Sequence, residues 1–138
     1  MLRNFLKRDD GNSMVEFAIV TAFVFLPLLF GVIEFGRLSW SKDMVTAAAR
    51  EGVRWAAVHG TQNQLAGGTL ATAAIVSDTI TARTKLSPIN VVTQWAQDKD
   101  PGDTVTVTVT YVYTPIVKVP FLTSSKTITG KSRQIVVY

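Results

Sequence analysis

Hydrophobic residues are concentrated in one stretch near the N-terminus of this sequence. The seventeen residues from Phe17 to Ile33 carry no charge, and twelve of them are Phe, Leu, Ile or Val. Extended over residues 14–35, a helix would be about 33 Å long, close to the roughly 30 Å hydrocarbon core of a bilayer. The pattern therefore predicts a membrane-spanning helix over residues 12–35.

The helical pattern continues past the apolar stretch. Residues 36–57 contain neither a proline nor a turn cluster, and one face carries apolar and small residues at helical spacing. These residues are Leu38, Ser41, Val45, Ala48, Gly52 and Trp55. Because small side chains let another backbone approach closely, we expect this face to pack against a sheet.

A second helix is predicted over residues 69–86, after a polar loop at 59–68. Thr69 is a candidate N-cap, and Ser87 with Pro88 ends the helical pattern. The residues expected to face inward are Ala73, Val76, Ile80 and Leu86.

After residue 88 the hydrophobic period changes to two, which is typical of strands. Valines and threonines alternate over 105–113, and weaker strand patterns cover 89–95 and 127–138, the last broken near Gly130. The predicted fold class is α+β. The long N-terminal transmembrane helix continues into a head of residues 36–138, which adds the second helix and a small antiparallel sheet of about three strands within 89–138.

Composition narrows the classes of function. The 138 residues leave room for one domain beside the membrane helix, and the net charge of +4 is spread along the chain, with no basic stripe carrying interleaved aromatics. We therefore expect no nucleic-acid partner. Cysteine is absent, and no nucleophile–base pair, metal-ligand pattern or phosphate loop occurs. We expect a protein that is not an enzyme and that has no cofactor, bound metal or small-molecule substrate.

Three aspartates, Asp98, Asp100 and Asp103, lie close together beside Pro101 and Gly102. They lack the glutamate and the spacing of an EF-hand loop. The favoured interpretation is a turn, and a calcium-binding loop is the alternative.

The charges that precede the apolar stretch predict its orientation. Arg3, Lys7 and Arg8 form a positive flank, and such flanks tend to stay in the cytoplasm. We expect a single-pass protein with a cytoplasmic N-terminus and an extracytoplasmic head. The stretch is longer than the apolar core of a secretory signal and has no small-residue cleavage site close behind it, so we expect the helix to be retained.

The residues just before the apolar stretch resemble the processing site of type IV pilins and pseudopilins. Gly11 follows a short basic leader, Glu16 comes five residues later, and Phe17 is beside it. The resemblance implies that a prepilin peptidase removes the leader, residues 1–11, by cutting before Asn12. It also implies that Glu16 pairs with the terminal amine of a neighbouring subunit, which would compensate a carboxylate buried in an apolar bundle.

Glu16 also has an interpretation from local helix chemistry. Ser13 and Glu16 have the spacing of a capping box, in which Ser13 is the N-cap. A carboxylate in the first turn of a helix gains about 0.3–1 kcal/mol from the helix dipole. The two roles of Glu16 are compatible.

Three blocks of sequence are similar, in order and spacing, to the TadE-like family. The blocks are Val15–Ala18, Ile33–Leu38 and Ala48–Arg54, and the resemblance covers about residues 11–56. The family motif beyond the apolar stretch is carried by Glu34, Gly36, Arg37, Ala49, Arg50, Glu51, Gly52 and Arg54. The resemblance implies a pilin-like head and an inner-membrane protein of the tight-adherence (Flp, type IVc) pilus systems, with prepilin peptidase, other pilins and pilus assembly proteins as partners.

Two functions are consistent with this resemblance. The first is a minor pilin or pseudopilin, needed for pilus assembly, surface adherence and biofilm formation, and present in the inner membrane and in the extracellular pilus. The second is an inner-membrane accessory factor of a pilus or secretion system that does not enter the filament.

Two further features have alternative interpretations. Pro27 removes a hydrogen bond inside the helix and predicts a bend near 22–25, either as a joint for subunit packing or as an incidental membrane proline. The aromatic residues Tyr113, Phe121 and Tyr138 either form an adhesive or subunit contact or belong to the core.

Overall fold

A computed structural model describes residues 9–116 and 124–137 of this chain. Phe121, Tyr138 and the basic residues of the N-terminal flank lie outside the described residues. The helices are α1 (Asp9–Val58), α2 (Thr61–Leu65) and α3 (Ala73–Arg83), and the strands are β1 (Ile89–Trp95), β2 (Thr104–Tyr113) and β3 (Lys126–Ile135). This order confirms the predicted α+β fold.

Helix α1 is 50 residues long, about 75 Å, and runs through Pro27 without interruption. The bend expected near residues 22–25 stays a prediction. The described part of α1 already includes Asp9, so Ser13 lies inside the helix and is not an N-cap. The capping-box interpretation of Ser13 and Glu16 is therefore wrong for the unprocessed chain, because the helix extends at least one turn further towards the N-terminus.

The sheet has the order β1-β2-β3, with both pairs antiparallel. Val105, Val107 and Val109 of the central strand are fully buried against the helices, and the threonines between them lie on the opposite face. The alternation predicted for 105–113 is confirmed.

Strand β3 differs from its prediction at Gly130. The strand is continuous from Lys126 to Ile135, and Gly130 keeps its place in the ladder opposite Val109. The predicted break is absent because glycine serves a packing purpose at this position. A Cβ built on Gly130 would lie 2.7 Å from the backbone oxygen of Val45 in α1, so strand and helix touch through their backbones.

The core lies between the second half of α1, helix α3 and the sheet. The predicted small-residue face of α1 is confirmed, since Ser41, Val45, Ala48 and Gly52 are buried and Leu38 and Trp55 are partly buried. The other buried apolar residues of α1 are Ala49, Val53, Ala56 and Ala57. A stripe of alanine and glycine lets the helix lie close to the sheet.

Helix α3 begins later than the sequence suggested. Its N-cap is Thr72, whose Oγ1 accepts a hydrogen bond from the Ile75 amide at 3.3 Å, and not Thr69. Ala71 is fully buried and its amide donates to the carbonyl of His59 at 2.7 Å. Because this contact holds the chain outside the helix at residue 71, Ala73 is exposed at the first turn, contrary to the prediction.

The other inward positions are as predicted, and the ends of the segment differ. Val76, Ile80 and Leu86 are buried, although α3 ends at Arg83 and leaves Leu86 in the loop before β1. The loop predicted over 59–68 contains the short helix α2.

We predict that Gly130→Ala lowers the free energy of unfolding of the head by about 1–3 kcal/mol, the usual cost of overpacking. The added methyl group would meet the Val45 carbonyl, which cannot move without displacing α1. Urea denaturation of the full chain in detergent, followed by near-ultraviolet circular dichroism, measures the change.

Gly36→Ala is the control for this substitution. A Cβ at Gly36 has nothing within 4 Å, and alanine is favoured over glycine inside a helix by about 1 kcal/mol. We expect this variant to be at least as stable as the unaltered protein. Equal stability of the two variants would contradict the close contact between β3 and α1.

Candidate functional site

The first part of α1 contains the predicted processing and assembly residues. Gly11 and Asn12 lie in its first turn, and Glu16 follows Asn12 by one turn. The side chains of Glu16 and Phe17 are exposed. Nothing in the described residues packs against this end of the helix, so cutting before Asn12 would shorten α1 without disturbing the core.

The apolar stretch of α1 is exposed on all sides. Between Ser13 and Ile33 every residue is exposed except the half-buried Gly31, and none of the most apolar window of the helix is buried. Phe17, Pro27 and Ile33 all lie in this exposed part. The helix is long and apolar enough to cross a membrane, which is compatible with a single-pass membrane protein.

Glu34 is the first buried residue after the exposed stretch. Only 2 % of it is accessible, although it is charged and one residue beyond Ile33. It faces the C-terminal end of β2, where the sheet first meets α1. The packed head therefore begins at Glu34.

Three donors surround the Glu34 carboxylate. Arg37 Nη1 lies 3.0 Å from Oε1 and 3.2 Å from Oε2. The hydroxyl of Tyr113 donates a short hydrogen bond to Oε1, and the amide of Ile116 donates to the same oxygen at 3.2 Å. A buried carboxylate is stable only when such donors replace water. We call these four residues the Glu34 cluster.

The cluster joins helix and sheet across a long distance in sequence. The guanidinium of Arg37 also lies over the ring of Tyr113, 5.5 Å from its centroid. Burial, followed by the hydrogen bond to Glu34, raises the pKa of Tyr113 to about 12. The hydroxyl is therefore protonated at neutral pH and donates to the carboxylate.

Tyr113 is the partner that the sequence did not identify. The pair of Glu34 with Arg37 is local and has the i, i+3 spacing of helical ion pairs, whereas Tyr113 and Ile116 are about 80 positions away and no spacing rule links them to Glu34. Tyr113 is 1 % exposed, so it belongs to the packed interior and is unavailable for an adhesive contact.

The third motif block, Ala48–Arg54, packs α1 against α3 and the sheet. Ala49 is fully buried, and a Cβ on Gly52 would clash with Ile80 Cδ1 and lie 3.3 Å from Val107 Cγ1. These two positions require small residues because α3 and β2 meet α1 there.

The charged residues of the same block lie at the surface. Glu51 pairs with Arg83 of α3 at 2.5 Å, and with Arg54 at a looser 3.9 Å. The pair of Glu51 with Arg54 has the i, i+3 spacing of helical ion pairs, whereas Arg83 lies on another helix and no spacing rule links it to Glu51. Arg50 and Arg54 are exposed, and exposed ion pairs contribute about 0–1 kcal/mol each.

The aspartate segment forms a turn between β1 and β2, as favoured from the sequence. Asp100 accepts a hydrogen bond from the hydroxyl of Thr61 at 2.5 Å, and Asp103 accepts one from the Gln97 amide at 3.1 Å. Within residues 9–116 and 124–137, no group of three or more His, Cys, Asp or Glu residues could hold a metal ion.

The architecture is that of a long membrane-compatible helix whose second half is built into an α+β head. Residues 11–54 match the model of the TadE-like protein family, which confirms the resemblance found in the three sequence blocks. The match includes the exposed apolar stretch, Glu34 and Arg37, and the small residues of the third block, and it ends before α3. Searches of curated proteins and of solved structures gave no match.

We predict that Tyr113→Phe lowers the free energy of unfolding of the head by about 1.5–3 kcal/mol, the usual contribution of a hydrogen bond to a charged group. The phenyl ring retains the packing, and only the hydroxyl is lost, which donates to Glu34 and accepts a long hydrogen bond from Arg37. Urea denaturation in detergent measures the difference.

Tyr111→Phe is the matched control on the same strand. Tyr111 is partly buried, and its hydroxyl is not among the groups that bond to Glu34. We expect this variant to change stability by less than about 0.5 kcal/mol, as is usual away from buried networks. If the two variants were equally stable, this would contradict the role of the Glu34 cluster in stabilising the head.

Proposed function

We propose that this protein is a minor pilin or pseudopilin of a tight-adherence pilus, anchored in the inner membrane by α1 and needed for pilus assembly, surface adherence and biofilm formation. A prepilin peptidase removes residues 1–11. The head stands on the extracytoplasmic side, and the role is structural, without catalysis. The TadE-like match over residues 11–54 supports a relation to these pili.

The observation that carries the proposal is that one helix has two different halves. Residues 13–33 expose apolar side chains all around the helix, and residues 45–57 of the same helix supply much of the core of the head. Cleavage on the C-terminal side of the apolar stretch would separate the core of the head from the membrane anchor. Processing before Asn12 keeps both, which is what a subunit that passes from a membrane to a helical bundle requires.

Glu16 would fix how neighbouring subunits pack in that bundle. Cleavage creates a positive amine at Asn12, and in an apolar bundle a carboxylate is stable when it is paired with such a charge. Asn12 and Glu16 are four residues apart, about 6 Å along the helix. A pair between adjacent subunits would therefore offset their helices by about one turn.

We predict that Glu16→Val leaves processing intact and removes the protein from assembled pili. The substitution keeps an apolar helix that inserts in the membrane but leaves the amine of the neighbour without a partner. The measurement is the amount of the protein in sheared filaments and in membranes, together with its mass.

Thr21→Val is the matched control, because it also replaces an exposed polar residue of the apolar stretch with valine. We expect this variant in filaments at the unaltered level. If the Glu16→Val variant were processed and assembled normally, this would contradict the ion pair between Glu16 and the amine of Asn12. If the unaltered protein were missing from sheared filaments that require it for assembly, it would be an accessory factor that remains in the inner membrane.

A further inference from the structure

The end of the head that contains the last residues of β2 lies level with the C-terminal end of the apolar stretch of α1. The amide of Ile116 is 3.2 Å from the Glu34 carboxylate, so Ile116 lies at the height of Glu34 along α1. Its side chain is 75 % exposed. The end of β2 therefore presents a large apolar group beside the point where the helix emerges from the apolar stretch.

The apolar stretch is shorter than the bilayer core that it would span. The run from Phe17 to Ile33 is about 25 Å long at 1.5 Å per residue, against a hydrocarbon core of about 30 Å. The helix is therefore too short by about three residues. If both ends share this shortfall, or if all of it falls at this end, the boundary of the hydrocarbon core lies one to three residues beyond Ile33. This places Glu34, and with it Ile116, at the boundary.

Exposed apolar side chains flank the helix at this height and up to two turns beyond it. At about 100° and 1.5 Å per residue, Phe35 and Trp40 lie on opposite sides of Glu34, and Trp40 lies about 9 Å further from the membrane than Glu34. The two residues are 71 % and 52 % exposed. Helix side chains point towards the N-terminus of their helix, which here is the direction of the membrane. Tryptophan is enriched at the interface between lipid and water.

Cationic groups lie at the same end of the head. Arg37 is 40 % exposed and bound to Glu34, and Lys126 is exposed opposite Tyr113 in the β2–β3 ladder. The carboxylate of Glu34 is occupied by its three donors. The surface thus combines apolar groups with positive charge, the chemistry that suits the headgroup layer of an anionic membrane.

We propose that this surface, formed by Phe35, Trp40, Ile116, Arg37 and Lys126, docks on the phospholipid interface of the leaflet from which α1 emerges. The inference rests on the proposed anchoring of α1 in a membrane. The head then rests on the bilayer at Ile116 and on either side of the helix, and its tilt is fixed. The Glu34 cluster holds Ile116 at the depth where it meets lipid.

The absence of cysteine in the sequence makes a direct depth measurement possible. Single cysteines at Ile116, Val92 and Val24 are labelled with a nitroxide in the full chain, reconstituted in vesicles of phosphatidylethanolamine and phosphatidylglycerol. Val24 is in the middle of the apolar stretch, and Val92 is exposed on the outer face of the sheet. The microwave power that saturates the electron paramagnetic resonance signal of each nitroxide is measured in the presence of oxygen and of a water-soluble nickel chelate. The ratio of the two effects gives the depth of each label.

The expected depths follow from the geometry. Val92 pairs with Thr108, five residues from Tyr113 along β2, so its label should lie about 17 Å further from the membrane than Tyr113, which contacts Glu34 as Ile116 does. We expect Ile116→Cys within about 8 Å of the core boundary, the thickness of the headgroup layer. Val24→Cys should lie deep in the core. Lys126→Cys gives a second reading from β3 and should also lie in the headgroup layer.

The outcomes separate this inference from the proposed anchoring. One outcome is a deep label at Val24 together with labels at Ile116 and Lys126 that are as accessible to nickel as the label at Val92. This result would overturn the docking and leave the anchoring intact. A water-exposed label at Val24 would overturn both. A third outcome is that the label at Ile116 is protected from nickel, but only when a vesicle holds more than one chain. This result would show that another copy of the protein, and not lipid, covers the surface.

Discussion

One continuous helix, α1, has to be stable in two different surroundings along its length. The first half of α1 exposes Phe, Leu, Ile and Val on every side, which is stable only where lipid or other apolar helices replace water. The second half carries a narrow stripe of small residues that α3 and the sheet cover. The change from one pattern to the other is abrupt and occurs at Glu34.

The Glu34 cluster explains how the junction can carry a buried charge. Glu34 has to leave water because the end of the sheet covers it, and Arg37, Tyr113 and the Ile116 amide replace the lost hydration. The same contacts tie the far end of β2 to α1. The head is thereby held at both of its ends, since Val137 also donates to the Ala57 carbonyl near the C-terminal end of the helix.

The motif residues of the TadE-like match divide into positions with distinct physical roles. Glu34 and Arg37 build the junction, and Ala49 and Gly52 allow the close approach of α3 and β2. Gly36 lies exposed, with open space around it, and nothing in the structure explains a glycine there. Arg50 and Arg54 are exposed, and Arg54 pairs loosely with Glu51.

The elements of the fold could be predicted wherever a repeating pattern was strong. The apolar run, the small-residue face of α1 and the alternation of β2 were visible because each extends over many residues. The start of α3 was misplaced because Thr69 and Thr72 are equivalent as caps in sequence. Only the contact between Ala71 and His59 decides between them.

The long-range parts of the site could not be predicted in this way. Tyr113 and Ile116 reach Glu34 only because β2 runs antiparallel to α1. Gly130 was predicted to break its strand because a glycine inside a strand usually weakens it. Its purpose depends on the position of Val45, which lies on another element.

The retention of α1 is tested by the N-terminal residue and mass of the protein isolated from membranes of cells with and without prepilin peptidase. The proposed processing keeps α1 as one helix from Asn12 into the head, shared between the apolar surroundings and the core of the head. We expect an N-terminus at Asn12 only when the peptidase is present. Met1 in both samples would contradict the processing, and an N-terminus beyond residue 35 would contradict the retention of the helix itself.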